Sequence, residues 1–375
     1  MTTFRIDASE GPGTHVLILG VGDYPYLKDG SAQGRAAHRN MGQLSSPPVS
    51  ALEMLRWVDS SLSNPQAPLK SIEVLVSAVN APSFTDRFGL SQRIDSADWD
   101  NYEAAVTAWK ERADSHPENV AIFYFCGHGM GDGINTYLLT GDAGRSSKLL
   151  RHGIHVSELR LAMGSCTATK QIYLIDACRN VDLACVLDPH DSSETGLPEV
   201  NPLLVFRGEN PVLYSARQGE QAFGAPGQVS VFTKALLNGL NRCAVFRPRG
   251  REWVVSPQQL QRAIAALMED FSGSPPCPAD GISGQGFQLH VLNQPPEVIL
   301  HVHLDNQNAN ESAVISYTSE GNTVIRQDSE HPWRTFVPSG ACLIEASFNP
   351  AGRFTAQSME FHMVPPFQNI TLEVL

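Results

Sequence analysis

The segment Val120-Ala121-Ile122-Phe123-Tyr124-Phe125-Cys126-Gly127-His128-Gly129 decides how the rest of the chain is read. Its first seven residues are apolar without alternation, the pattern of a strand covered on both faces, as in the middle of a parallel sheet. The run then hands the chain to a histidine between two glycines. A second apolar run, Gln171-Ile172-Tyr173-Leu174-Ile175, ends in a comparable way on Asp176-Ala177-Cys178-Arg179. Two buried strands thus each finish on a residue with chemistry to offer.

Working outward, short apolar runs recur at residues 15–21, 72–77 and 211–215, and segments of helical period lie at 50–62, 98–114, 156–163, 231–240 and 257–271. Strand alternating with helix over this length predicts a three-layer α/β domain with a mostly parallel central sheet. Two connections are too long for turns. Residues 24–49 are rich in Gly, Ser and Pro and include Pro47-Pro48, and residues 179–210 are rich in Asp, Glu and Ser. Both leave the C-terminal ends of predicted strands, where open α/β sheets place their ligand sites.

The pattern changes after Ser274-Pro275-Pro276-Cys277-Pro278, a strand-like run at 286–292 and Gln294-Pro295-Pro296. Short alternating runs follow at 298–304, 313–317, 323–327, 342–348, 359–363 and 370–374, with no helical segment between them. They predict a small all-β domain, an immunoglobulin-like sandwich. The chain is therefore expected to divide into residues 1–293 and 294–375. Its 375 residues exceed the roughly 250–300 at which single cores stop growing.

The net charge of −12, from 27 basic against 39 acidic residues, and the lack of a basic stripe exclude nucleic acid as an expected partner. No apolar run approaches the roughly 20 residues of a membrane span, and the first residues are polar, so a cytoplasmic protein is expected. The seven cysteines are odd in number and show neither a CxxC pair nor a Cys/His zinc spacing. Neither a disulfide framework nor a metal site is indicated, and no cofactor is expected.

If the strands at 120–126 and 171–175 are neighbours, His128 and Cys178 emerge at one sheet edge and face one cleft. A neutral thiol is a poor nucleophile and its thiolate a good one, so a nearby imidazole raises the reactive fraction. Gly129, lacking a Cβ, lets its N–H approach a substrate carbonyl oxygen, and together with the N–H of Cys178 it would form an oxyanion hole. The corresponding cycle is attack by Cys178, collapse with proton donation from His128 to the leaving amine, and hydrolysis of the thioester. Plainer alternatives stand beside each assignment. A cysteine after a strand commonly fills a core, Gly129 can be a simple turn, and Asp176 can cap a helix or pair with Arg179. Cys126 with His128 lacks the further ligands a metal would need.

These motifs, with Tyr214-Ser215-Ala216 and Val231-Phe232-Thr233-Lys234-Ala235-Leu236-Leu237, are similar to the caspase, metacaspase and paracaspase superfamily of cysteine peptidases over residues 13–292. The spacing of 50 residues between His128 and Cys178 is close to that of caspases. The resemblance implies a cysteine endopeptidase that cuts protein or peptide substrates through these two residues, as a regulated protease in a microbial defence or cell-death pathway. Animal caspases carry Gln two residues before the nucleophile, whereas this chain has Asp176. In metacaspases the matching acid lines the S1 pocket and selects Arg or Lys. A basic P1 residue is thus implied, with Asp176 in the pocket, Asp23 as a second acid, and Ser215 and Ala216 beside the substrate.

Departures from the family pattern are also plain. The Asn-Asp-Ala motif common after the first strand is missing, and residues 45–51 stand in its place. No acidic cluster is assignable to a metacaspase calcium site, with loop carboxylates such as Asp182 and Asp188 as candidates, so calcium dependence is left open. The acidic stretch 182–199 resembles the family's processing linker, yet no Lys or Arg lies between Val181 and Phe206, which argues against self-cleavage there. The C-terminal β region could dock a substrate or a regulatory protein, shield the active site until removed, or join subunits through an exposed strand edge. The competing reading is a catalytically silent caspase-like scaffold.

Overall fold

A computed structural model of the chain describes residues 2–32, 41–132, 134–146, 149–180, 195–198, 208–217, 219, 225–248, 252–272, 277–282, 286–327, 333–348 and 354–374. It forms two compact units, Met1–Leu237 with Met268–Leu289 and Asn238–Leu267 with His290–Leu375. Among the described residues no helix is long and apolar enough to cross a membrane.

The first unit is built on seven strands: β1 (Thr2–Ile6), β2 (Thr14–Val21), β3 (Leu69–Ser77), β4 (Val120–Gly127), β5 (Lys170–Ala177), β6 (Val212–Tyr214) and β7 (Ala279–Asp280). Their order is β1-β3-β2-β4-β5-β6-β7. The five inner strands are parallel, and β1 and β7 run antiparallel at the two edges. Every residue of β2, β3 and β4 is buried, which explains the mainly apolar runs within these strands.

Among the described residues, helices α1 (Ser46–Ser60), α2 (Trp99–Ala113), α3 (Val156–Met163) and α4 (Val231–Asn238) lie on the sheet. Because strand side chains alternate, Leu17, Leu19, Phe123, Phe125, Tyr173 and Ile175 all join one core with Tyr102, Val106 and Trp109 of α2 and Leu159 and Met163 of α3. The other face meets α1 and α4. A Cβ on Gly20 would collide with that of Ala51, and the Tyr124 hydroxyl lies 2.6 Å from that of Thr233. The expected three-layer α/β arrangement with a mostly parallel sheet is therefore present.

Local features differ from the reading of the sequence. Pro47 and Pro48, read as loop punctuation, form the first turn of α1, where proline's fixed φ and missing N–H cost nothing. Strand β1 was hidden in a polar N-terminus because an edge strand needs no continuous apolar run. A small three-stranded sheet, Gly129–Gly131, Thr136–Leu139 and Gly153–His155, follows β4 directly; its glycines and short strands carry no clear alternation.

In the second unit, two sheets share one apolar core. One contains β8 (Glu297–Leu304), β11 (Trp333–Pro338) and β14 (Phe367–Leu372) in the order β11-β8-β14. The other contains β9 (Ala313–Ser319), β10 (Asn322–Ile325), β12 (Gly340–Phe348) and β13 (Gln357–Met363) in the order β10-β9-β12-β13. Val298, Leu300 and Val302 alternate inward against Ile315, Ile344 and Ile370, and Tyr317 stacks on Trp333 with ring centroids 5.6 Å apart. A short helix, Gln307–Ser312, interrupts the strands, capped by the Asn306 side chain on the N–H of Ala309. No helix was expected there; six residues, five of them polar, are too few to show a period.

Candidate active site

Strands β4 and β5 pair residue for residue from Val120↔Lys170 to Cys126↔Asp176 and Gly127↔Ala177. One step further on each strand stand His128 and Cys178, so the common register brings the two residues to adjacent tips. The closeness of the tips is also visible at Gly129, where a Cβ would stand 2.5 Å from the carbonyl oxygen of Cys178. Of the six described cysteines, Cys178 alone is partly exposed. Burial pushes the thiols of Cys126, Cys166, Cys243, Cys277 and Cys342 above the usual range, which makes them inert packing groups.

His128 is held through both its ring and its backbone. Its Nε2 lies 2.8 Å from the carbonyl oxygen of Gly42. A carbonyl can only accept, so Nε2 carries the proton and Nδ1 keeps the lone pair a general base requires. The backbone N–H of His128 donates to the Tyr24 hydroxyl at 2.8 Å, and the two rings pack with centroids 4.8 Å apart. The His128 carbonyl accepts from the N–H of Leu139 at 3.0 Å. Burial lowers the pKa of His128, opposed by the Gly42 carbonyl, so burial favours the neutral ring.

The chain around Cys178 is anchored with comparable care. The N–H of Gly131 donates to the carbonyl of Asn180 at 3.0 Å, and that of Gly219 to the carbonyl of Arg179 at 2.8 Å. Arg179 donates from Nε to the Thr136 hydroxyl at 3.0 Å and lies over the ring of Tyr214, 3.9 Å from its centroid. It is therefore engaged away from Asp176, with which the sequence allowed it to pair. Ser215 continues beside β5, its N–H donating to the carbonyl of Ile175 at 2.9 Å and its hydroxyl to that of Ala177 at 3.3 Å; Ala216 is buried.

Asp176 is only 3% exposed. Its Oδ2 accepts from the hydroxyls of Ser230 and Thr233, the latter at 2.9 Å, and from the Cys126 thiol at 3.5 Å. Burial raises the pKa of this carboxyl, and Ser230, Thr233, Cys126 and Ser215 oppose the rise. Ser230 has a second task at the start of α4, where its hydroxyl accepts from the N–H of Thr233 at 3.1 Å. Asp23 lies elsewhere. It lines a cleft of about 510 Å³ with Ser77, Asp98, Asp142 and Arg145, and neither His128 nor Asp176 is among the residues of that cleft.

Among the described residues, no group of three or more His, Cys, Asp or Glu is placed to hold a metal ion. Asp182 and Asp188, the loop candidates for calcium, lie outside the described residues, as do residue 185 and most of the acidic stretch. Sequence reasoning also missed Tyr24, Gly42 and Gln43. A backbone carbonyl leaves no trace in residue type, whereas Ser230 and Thr233, three residues apart at a helix start, did carry a capping signal.

A doubly covered parallel sheet with a histidine and a cysteine at neighbouring C-terminal tips defines an α/β protein of cysteine-hydrolase layout. The chain belongs to the caspase-domain family, whose model matches residues 80–269, half of the chain and both strand tips. Membership places it among the cysteine peptidases. The chain is similar to a protein from Sinorhizobium fredii (strain NBRC 101917 / NGR234) designated y4kE, 27% identical over 256 residues that cover 64% of this chain and 71% of that protein. It is also similar to the crystal structure of caspase-1 from Spodoptera frugiperda, with 11% identity and a TM-score of 0.45, over 75% of this chain and 91% of the other.

Proposed function

We propose that the protein is a cysteine endopeptidase in which Cys178 attacks the scissile carbonyl and His128 acts as base and acid. The observation that carries this reading is the β4–β5 register, which ends at Gly127↔Ala177, one residue before His128 and Cys178, together with the partial exposure of Cys178 alone among the described cysteines. The Nε2–Gly42 contact leaves Nδ1 as the nitrogen that takes the thiol proton and returns it to the leaving amine. The N–H groups of Gly129 and Cys178 are the donors for the developing oxyanion.

We further propose a basic P1 residue, Arg or Lys, recognised by Asp176 with Ser215 and Ala216 alongside. What supports this is a carboxylate two residues before the nucleophile whose hydroxyl and thiol donors at Oδ2 keep it oriented. Oδ1 is then the oxygen for a substrate cation. Asp23, the second acid that the resemblance implies, lines the cleft with Ser77 and Asp98, and Asp176 is not among the residues of that cleft. The biological setting, a regulated microbial protease with protein substrates, rests on family resemblance, and a regulatory partner at the β-sheet unit rests on the strand edges such a unit offers.

A positional-scanning library of fluorogenic peptides, assayed on the wild type and Cys178→Ala with and without calcium, tests the proposal. Cleavage after Arg or Lys that disappears in the variant is expected. Undiminished cleavage by Cys178→Ala ends the nucleophile assignment, and the absence of any cleavage would favour the scaffold reading.

A further inference from the structure

The residues between β2 and α1 do more than connect them. After Val21 the chain turns through residues 22–28, and residues 41–44 return across this turn as a strap. The strap is tied down at both ends by the backbone, Lys28 N–H to the Met41 carbonyl at 3.1 Å and Leu44 N–H to the Gly22 carbonyl at 2.9 Å. Between these ties stands Gln43. Its Oε1 accepts from the N–H of Tyr24 at 2.8 Å, and its Nε2 donates to the carbonyls of Tyr24 at 2.9 Å and Lys28 at 3.0 Å. One side chain thus saturates three backbone groups of the turn.

Two consequences meet at His128. The residue before Gln43 is Gly42, whose carbonyl is the acceptor for Nε2. The residue that Gln43 grips is Tyr24, whose ring packs on the imidazole and whose hydroxyl accepts the backbone N–H of His128. Tyr24 is itself fully buried, with its hydroxyl 3.4 Å from the Leu139 carbonyl, so it cannot shift without disturbing the core. We propose that Gln43 is a positioning residue that, together with Tyr24, locks the Gly42 carbonyl onto Nε2 of His128 and so keeps the ring in the Nε2–H tautomer.

A side-chain amide suits this task because it offers an acceptor and two donors in one plane, matching a peptide group. Alanine would release the strap. Glutamate would keep the acceptor for Tyr24 N–H and turn the two donor contacts into repulsion between oxygens. The ring would then sample both tautomers, and the base would be misplaced for part of the time. The consequence for rate rests on the peptidase reading, whereas the tautomer does not.

The test uses the full chain labelled with [¹⁵N]histidine, with the His128 ring signals assigned by their loss in His128→Gln. In the wild type, Nε2 should appear protonated and Nδ1 bare. In Gln43→Ala the two shifts should move toward each other, kcat should fall by about 10- to 100-fold with KM little changed, and Gln43→Glu, which sets an oxygen against two carbonyls, should change both at least as much. Gln43 is only partly buried, and a melting curve of each variant confirms that it folds. An Nδ1–H tautomer in the wild type, or ring signals unchanged in folded Gln43→Ala, overturns the inference. Shifts that move as expected in an enzyme that cleaves no peptide support the inference and reject the peptidase reading instead.

Discussion

A methyl group on Gly129 would stand 2.5 Å from the carbonyl oxygen of Cys178 and 2.8 Å from Cβ of Ala177, both closer than real Cβ atoms approach. Here proximity, not backbone angle, restricts the position to glycine: relief would require the β5 tip to move away from the β4 tip. Gly129→Ala should therefore leave the fold intact to circular dichroism while lowering kcat/KM by at least about 100-fold, the scale of a one-ångström misplacement. Wild-type activity in the variant would show that the two tips do not need their close approach. The same tips explain what residue patterns disclosed. His128 and Cys178 were legible because each ends an apolar run, and the handbreadth of chain around them was not, since Gly42 acts through its carbonyl and Tyr24 through a contact 104 residues distant in sequence.

At the scale of the element, strands were easier to read at the sheet centre than at its edges. Strands β2, β4 and β5 are covered on both faces and announce themselves as apolar runs, whereas β1 and the short strands after Gly129 draw their stability from neighbours that a linear pattern does not show. The opposite end of β2 carries a titration that can be measured. His15 is 4% exposed, its Nδ1 lies 2.9 Å from the Ser71 hydroxyl, and its Nε2 is buried without a hydrogen-bond partner. Burial, with Lys70 and Arg112 nearby, lowers its pKa to about 4. The unfolded chain therefore takes up a proton below about pH 6.5 that the folded chain refuses until about pH 4. Stability is complete above that window and falls as pH drops through it, by roughly 3 kcal/mol from this residue. Urea titrations between pH 7 and 4 should show that loss in the wild type and a smaller one in His15→Gln; parallel curves would refute it.

Among the described residues of the whole molecule, one apolar cluster gathers around Trp109, Phe123 and Tyr173 and another around Val302, Tyr317 and Trp333. The change from helix-and-strand alternation to short alternating runs signalled the second cluster in the sequence, although the helix Gln307–Ser312 and strand β11 did not stand out there. Chains with two cores commonly unfold in more than one step. Trp333→Ala removes a stacked, buried ring and should destabilise its own unit by about 3–5 kcal/mol. Scanning calorimetry should then show one transition moved to lower temperature, with the peptidase unit and its activity unchanged. A single transition shifted as a whole would mean that the clusters unfold together.

The most direct measurement of the shared cleft is the rate at which a peptidyl-arginine chloromethyl ketone alkylates each cysteine, read by mass spectrometry in the wild type and in His128→Ala. Modification confined to Cys178, and slowed by about 100-fold or more when the imidazole is removed, is the expected result. Equal labelling of several thiols, or a Cys178 rate indifferent to His128, would contradict it.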